Sequence, residues 1–117
     1  MKVTVVGLGP GAGRDLTGRA REALEQANLI IGYTAYIALI REAFPEKEMR
    51  STGMRREVDR CREAVEAAVS GKDVAMVCSG DSGIYGMAGL VYEVAQEYPP
   101  IDIEVVPGIT AACGGAA

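Results

Sequence analysis

Val74-Ala75-Met76-Val77-Cys78 runs without a charge into Ser79-Gly80-Asp81-Ser82-Gly83. A short stretch that is apolar throughout suits a strand covered on both faces, the situation of a central strand in a parallel sheet. The glycine-rich residues behind it read as a turn. Upstream, Val58, Cys61, Val65 and Val69 recur at helical intervals within 54–69, with Arg and Glu between them, and Gly71 is a plausible stop. Downstream, 84–97 predicts a helix despite Gly86 and Gly89, and Pro99-Pro100 ends it. Ile103-Glu104-Val105-Val106 then reads as a strand, and Pro107-Gly108 turns into a further helix.

The amino-terminal half follows the same alternation. Val3-Thr4-Val5-Val6 is a β-branched run, and the loop Gly7-Leu8-Gly9-Pro10-Gly11-Ala12-Gly13 follows it. Residues 16–27 predict a helix with Leu16, Ala20, Ala23, Leu24 and Ala27 on one face. Leu29-Ile30-Ile31-Gly32 is too short for a helix and reads as a strand. Tyr36, Ile37, Ile40 and Phe44 give 34–44 helical spacing, closed by Pro45. Strand and helix in turn predict an open, mostly parallel α/β sheet with flanking helices. At 117 residues it is one domain by length.

Composition excludes several classes of function. The net charge of −4, from 12 basic and 16 acidic residues, sets up no global attraction for nucleic acid. No stretch approaches the ~20 apolar residues of a membrane span. Met1-Lys2 leads straight into the first strand without a signal-peptide pattern, so a cytoplasmic location is expected. The three cysteines, Cys61, Cys78 and Cys113, form no CxxC pair, and there is no histidine. Neither a structural metal nor a disulfide framework is expected. The missing histidine also removes the usual general base and the Ser-His-Asp reading of Gly80-Asp81-Ser82-Gly83.

In an open α/β sheet ligands sit beyond the carboxyl ends of the strands. Three turn-like segments belong there: 7–13, 79–83 and 107–112. The first satisfies GxGxxG/A, but a dinucleotide site also needs an acid at the end of the second strand. Asn28-Leu29-Ile30-Ile31-Gly32-Tyr33 has none, and Pro10 lacks an N–H to give a pyrophosphate. No Lys-Ser or Lys-Thr follows the glycines, which disfavours a Walker-type loop. Asp81 has a local role open to it as well, capping the helix that follows.

Together the loops resemble those of the tetrapyrrole methylases, the class III methyltransferases. Val6-Gly7-Leu8-Gly9-Pro10-Gly11 is similar to the family's first motif and Ser79-Gly80-Asp81-Ser82-Gly83-Ile84-Tyr85-Gly86 to its Gly-Asp loop. Val106-Pro107-Gly108-Ile109-Thr110-Ala111-Ala112 is similar to its third motif. Within the family, Ile31-Gly32-Tyr33-Thr34-Ala35-Tyr36, Ser51-Thr52-Gly53-Met54 and the Gly-Asp loop extended to Gly89 are most like the branch that methylates C17 of precorrin-3B with ring contraction. Uroporphyrinogen-type members carry an aspartate where Tyr33 stands, which leaves the base of any reaction here open.

The resemblance implies a two-domain enzyme, usually a homodimer, that binds S-adenosylmethionine between its domains and a precorrin as substrate. It implies cofactor contacts at Pro10, Ser79, Gly80, Asp81, Ile84, Thr110 and Ala111. Residues 1–113 would be the N-terminal α/β domain and 114–117 the start of the link to a second domain, so the chain by itself is expected to be inactive. Tyr33 and Tyr85 are candidate catalytic groups, and Tyr36 could join them in meeting the tetrapyrrole; each could equally be packing at the edge of the core. Arg55, Arg56, Arg60 and Arg62 could meet substrate carboxylates, or pair on a solvated helix face with Glu57, Asp59, Glu63 and Glu66. The alternatives are another branch acting on a different precorrin, diphthine or ribosomal RNA, a dinucleotide-binding module, and a non-catalytic binding or dimerisation domain.

Overall fold

The computed structural model describes residues 1–9, 16–79 and 82–108. Five strands and four helices alternate along the chain: β1 (Lys2–Leu8), α1 (Gly18–Gln26), β2 (Leu29–Tyr33), α2 (Thr34–Ile40), β3 (Glu48–Thr52), α3 (Glu57–Val69), β4 (Asp73–Ser79), α4 (Ser82–Ala95) and β5 (Asp102–Val106). The sheet order is β3-β2-β4-β1-β5, and every pairing is parallel. The expected architecture is therefore present.

The apolar run is the central strand, between β1 and β2, and its side chains alternate between two cores. Val74, Met76 and Cys78 join Val5, Ile31, Cys61, Val65 and Val91 on the face covered by α3 and α4. Ala75 and Val77 join Val6, Leu24, Ile30 and Ile40 on the face covered by α1 and α2. Covering both faces is what requires the run to be apolar at every position rather than at every second one.

Local signals set the helix ends. The Thr17 hydroxyl accepts the Ala20 amide at 3.0 Å, capping α1. Lys47 Nζ donates to the carbonyl of Ala27 at 2.9 Å and to that of Glu25, placing a cation at the negative end of the same helix. Gly71 follows α3 with φ of 108°, a conformation that disfavours a Cβ, and its amide reaches the Ala68 carbonyl at 3.0 Å.

Four expectations need correction. The helix expected over 34–44 ends at Ile40, and the chain turns there with the amides of Ala43 and Phe44 on the Ile40 carbonyl. Strand β3 was not foreseen: Glu48-Met49-Arg50-Ser51-Thr52 is an edge strand, mostly exposed and polar, as an edge that must not recruit other strands should be. Helix α3 begins at Glu57 and buries Arg60, Cys61, Ala64, Val65, Ala67 and Ala68, leaving Val58 and Val69 exposed. The buried face thus runs through Cys61, Ala64, Val65 and Ala68, and Val58 and Val69 fall to either side of it. The last residues of the helix expected to reach Glu97 are turns after Ala95.

Candidate functional site

The connections locate the site. From β2 the chain leaves outward through α2 to β3, on one face. From its neighbour β4 it leaves in the opposite direction through α4 to β5, on the other face. Connections that diverge from adjacent parallel strands open a crevice at their carboxyl ends. A cleft of about 310 Å³ lies there, with Tyr33 from the end of β2 and Cys78 and Ser79 from the end of β4. Tyr36 of α2, Met87 of α4, Arg60 and Glu57 of α3, and Met54 and Arg55 of the preceding turn complete its walls.

The bases of the three glycine-bearing loops converge beside this cleft. Leu8 pairs with Ser79 in register, so the ends of β1 and β4 are side by side. After β5, Gly108 lies so close to the end of β1 that a Cβ on it would stand 3.0 Å from the Gly7 carbonyl oxygen and 3.2 Å from the Leu8 carbonyl carbon. A side chain here would force the backbone apart by a few tenths of an ångström, so glycine suits this approach.

Of the residues singled out from sequence, Ser79 is exposed at the end of β4 and lines the cleft. Ile84 is 1% exposed and packs in the core under α4. Tyr33 and Tyr36 meet edge to face across the cleft wall, their ring centroids 5.6 Å apart. Tyr85 is not among the residues lining the cleft and stands 65% exposed. Pro10, Gly80, Asp81, Thr110 and Ala111 lie outside the described residues.

The four arginines separate. Arg56 pairs with Asp59 at 2.7 Å and Arg62 with Glu97 at 3.6 Å, both at the surface. Arg62 also donates to the Tyr98 hydroxyl, which donates in turn to Glu66. Arg55 is exposed with φ of 61°, an uncommon conformation for a residue with a side chain. Arg60 is different: it is 5% exposed, donates from Nε to Thr52 Oγ1 at 2.7 Å and from Nη2 to the Gly53 carbonyl at 3.4 Å, and still lines the cleft. No carboxylate among the described residues comes within 4.0 Å of it. Sequence reading placed Arg60 with its neighbours. The signal available was a cation directly beside Cys61 and one turn before Ala64.

Cys61, Cys78 and Met87 put sulfur into the cleft floor and the core beneath it, with Cys61 Sγ 3.6 Å from Met87 Sδ. Burial pushes the Cys78 thiol up to about 12 and the Cys61 thiol to about 11, and the Arg60 charge opposes this without outweighing it. Both thiols are therefore protonated at neutral pH and are not nucleophiles. In the unfolded chain they would lose their protons near 9.0, the ordinary value for a solvated thiol. Above that pH the unfolded state binds fewer protons than the folded one, so stability falls as pH rises from about 9 towards 11–12. Urea midpoints measured across this range should fall less steeply for the Cys61→Ala, Cys78→Ala double variant than for the parent. Parallel curves would mean that the thiols are not protected by burial.

The model of the tetrapyrrole (corrin/porphyrin) methylases matches residues 2–117. This chain belongs to that family. Over 94% of its length it is 48% identical to the cobalt-factor III methyltransferase of Priestia megaterium, of which it covers 21%. Over 97% of its length it is 42% identical to a probable cobalt-factor III C(17)-methyltransferase of Salmonella typhimurium, covering 48% of that protein. The crystal structure of the methyltransferase CobJ superposes with a TM-score of 0.79 at 40% identity, over 97% of this chain and 48% of the other. The chain thus spans about half the length, or less, of the relatives it matches. The tetrapyrrole methylase resemblance seen in the three motifs is borne out. Among the described residues, no helix is long and apolar enough to cross a membrane.

Proposed function

We propose that this tetrapyrrole methylase chain is the cofactor-side half of an S-adenosylmethionine-dependent C-methyltransferase, acting at C17 of a precorrin-type macrocycle with contraction of the ring. The observation that carries the reading is its 48% identity to a protein named for methylating cobalt-factor III. The same name favours a cobalt-bound macrocycle, with the metal part of the substrate. The proposal includes a second domain beyond residue 113, a homodimeric assembly, a cytoplasmic location and no nucleic-acid partner.

The described residues fit an adenosyl ligand. Gly108 and Gly7 bring two loop bases together where a Cβ would intrude, and Ser79 is exposed beside them. Pro10, Ser79, Gly80, Asp81, Ile84, Thr110 and Ala111 would hold it. When bound, the cofactor supplies a methyl group on a sulfonium, and transfer to an electron-rich carbon is an in-line displacement. The chain's own part is placement: backbone and small side chains set the donor at the carboxyl end of the sheet, and the Tyr33–Tyr36 wall limits where an acceptor can lie. Holding two reactants in near-attack geometry contributes up to about 7–11 kcal/mol. No protein nucleophile is needed, which agrees with two protonated thiols and a chain without histidine.

Calorimetric titration with S-adenosylhomocysteine, with NAD as control, tests the reading. Saturable binding of the adenosyl ligand is expected, weakened about tenfold or more in Thr110→Val, and no heat from NAD. Binding of NAD alone would replace the methylase reading with a dinucleotide one. Silence toward both would sink the claim that this half seats the donor by itself.

A further inference from the structure

The geometry points to Arg60 as the residue that seats a carboxylate of the tetrapyrrole substrate, an inference that rests on the methylase reading above. A guanidinium held out of water loses hydration that two neutral acceptors do not fully replace, so an anion is its natural partner. Arg60 is 5% exposed, and what remains open faces the cleft. Its Nε is fixed by Thr52 Oγ1 at 2.7 Å and Nη2 by the Gly53 carbonyl at 3.4 Å, which anchors one side of the fork from the edge strand. An anchored fork loses little freedom when it takes a carboxylate, and binds it in a defined orientation. Glu57 lines the same cleft, but it is exposed and makes no ion pair with Arg60.

Two ligands of the reaction carry carboxylates: the methionine part of the donor and the acetate and propionate arms of the macrocycle. Placement favours the macrocycle. The loop bases that would hold the donor converge at the ends of β1, β4 and β5, through Gly7, Ser79 and Gly108. Arg60 reaches its cleft from the β3 side of β4, tied to the end of β3 and beside Tyr33 and Tyr36, with Cys78 and Ser79 of β4 forming the boundary towards the donor side. Strand β4 thus divides a donor side from an acceptor side. A flat macrocycle lying against the tyrosines would offer its acid arms to the walls of the cleft, where Arg60 is.

The probe is uroporphyrin III, which carries eight carboxylates and is followed by its absorption band, titrated alongside S-adenosylhomocysteine. Arg60→Met should weaken uroporphyrin III at least tenfold and leave S-adenosylhomocysteine within about twofold. Arg60→Lys keeps the charge without the fork, and Thr52→Val keeps the fork but removes its shorter anchor; both should fall between. Unchanged uroporphyrin affinity in Arg60→Met overturns the inference. Loss of S-adenosylhomocysteine binding alone overturns it too, and assigns the carboxylate to the donor. If Arg60→Met does not fold by circular dichroism, parental affinity in both Arg60→Lys and Thr52→Val overturns it. A chain that binds S-adenosylhomocysteine but not uroporphyrin III refutes the acceptor site alone, and one that binds neither also refutes the claim that this half seats the donor by itself.

Discussion

Replacing Met76 by alanine should destabilise the chain by about 2–5 kcal/mol, the range for truncating a large buried side chain in a core that relaxes only partly. Met76 is fully buried at the middle of β4, flanked in register by Val5 of β1 and Ile31 of β2. All three side chains enter the core under α3 and α4, so the lost volume has no mobile neighbour to fill it. In a domain of this size, that corresponds to a fall in melting temperature on the order of 10–20 °C. Val58→Ala is the control. Val58 was expected on the buried face of its helix but is 49% exposed, and its truncation should change stability by less than about 0.5 kcal/mol. Equal melting temperatures for the two variants would mean that β4 is not the central strand.

The second large effect is expected at Gly108, on ligand binding more than on stability. A Cβ there would stand 3.0 Å from the Gly7 carbonyl oxygen and 3.1 Å from its carbon. These are backbone atoms of β1, a strand paired on both sides, so neither can rotate away as a side-chain tip would. The loop after β5 must move instead, at a cost of about 1–3 kcal/mol for overpacking. Under the proposed function, shifting the base of this loop would remove the contacts it gives the donor. Gly108→Ala should weaken S-adenosylhomocysteine binding measurably and Gly108→Val by about tenfold or more, which is at least about 1.4 kcal/mol. Parental affinity in Gly108→Val would show that this loop takes no part in holding the ligand.

Different residues show how far the sequence could be read. Val74–Cys78 announced a doubly covered strand because a parallel sheet with helices on both faces leaves no position that water can reach. The other core strands and the four helices were legible for the same reason: burial imposes a period on residue type. Edge strand β3 was not, since its outer side has no partner and so selects for polar residues that carry no period. The ends of α2 and α3 were misjudged where apolar residues such as Phe44 and Val58 continue the pattern without continuing the buried helix face.

The site divides in the same way. Fold class, family and the order of the three glycine-bearing motifs were legible in one dimension, because close backbone approach demands residues without bulk. Which of several similar residues face the cleft depended on packing in three dimensions. It set Tyr33 and Tyr36 on one wall and left Tyr85 in solvent. It buried Arg60 against Thr52 while Arg56 and Arg62, within four positions of it on the chain, paired at the surface. Neighbours along a helix point in different directions, and what each direction meets is fixed by strands from elsewhere in the chain. A side chain's type shows what it can bind, and its surroundings determine whether water has already satisfied it.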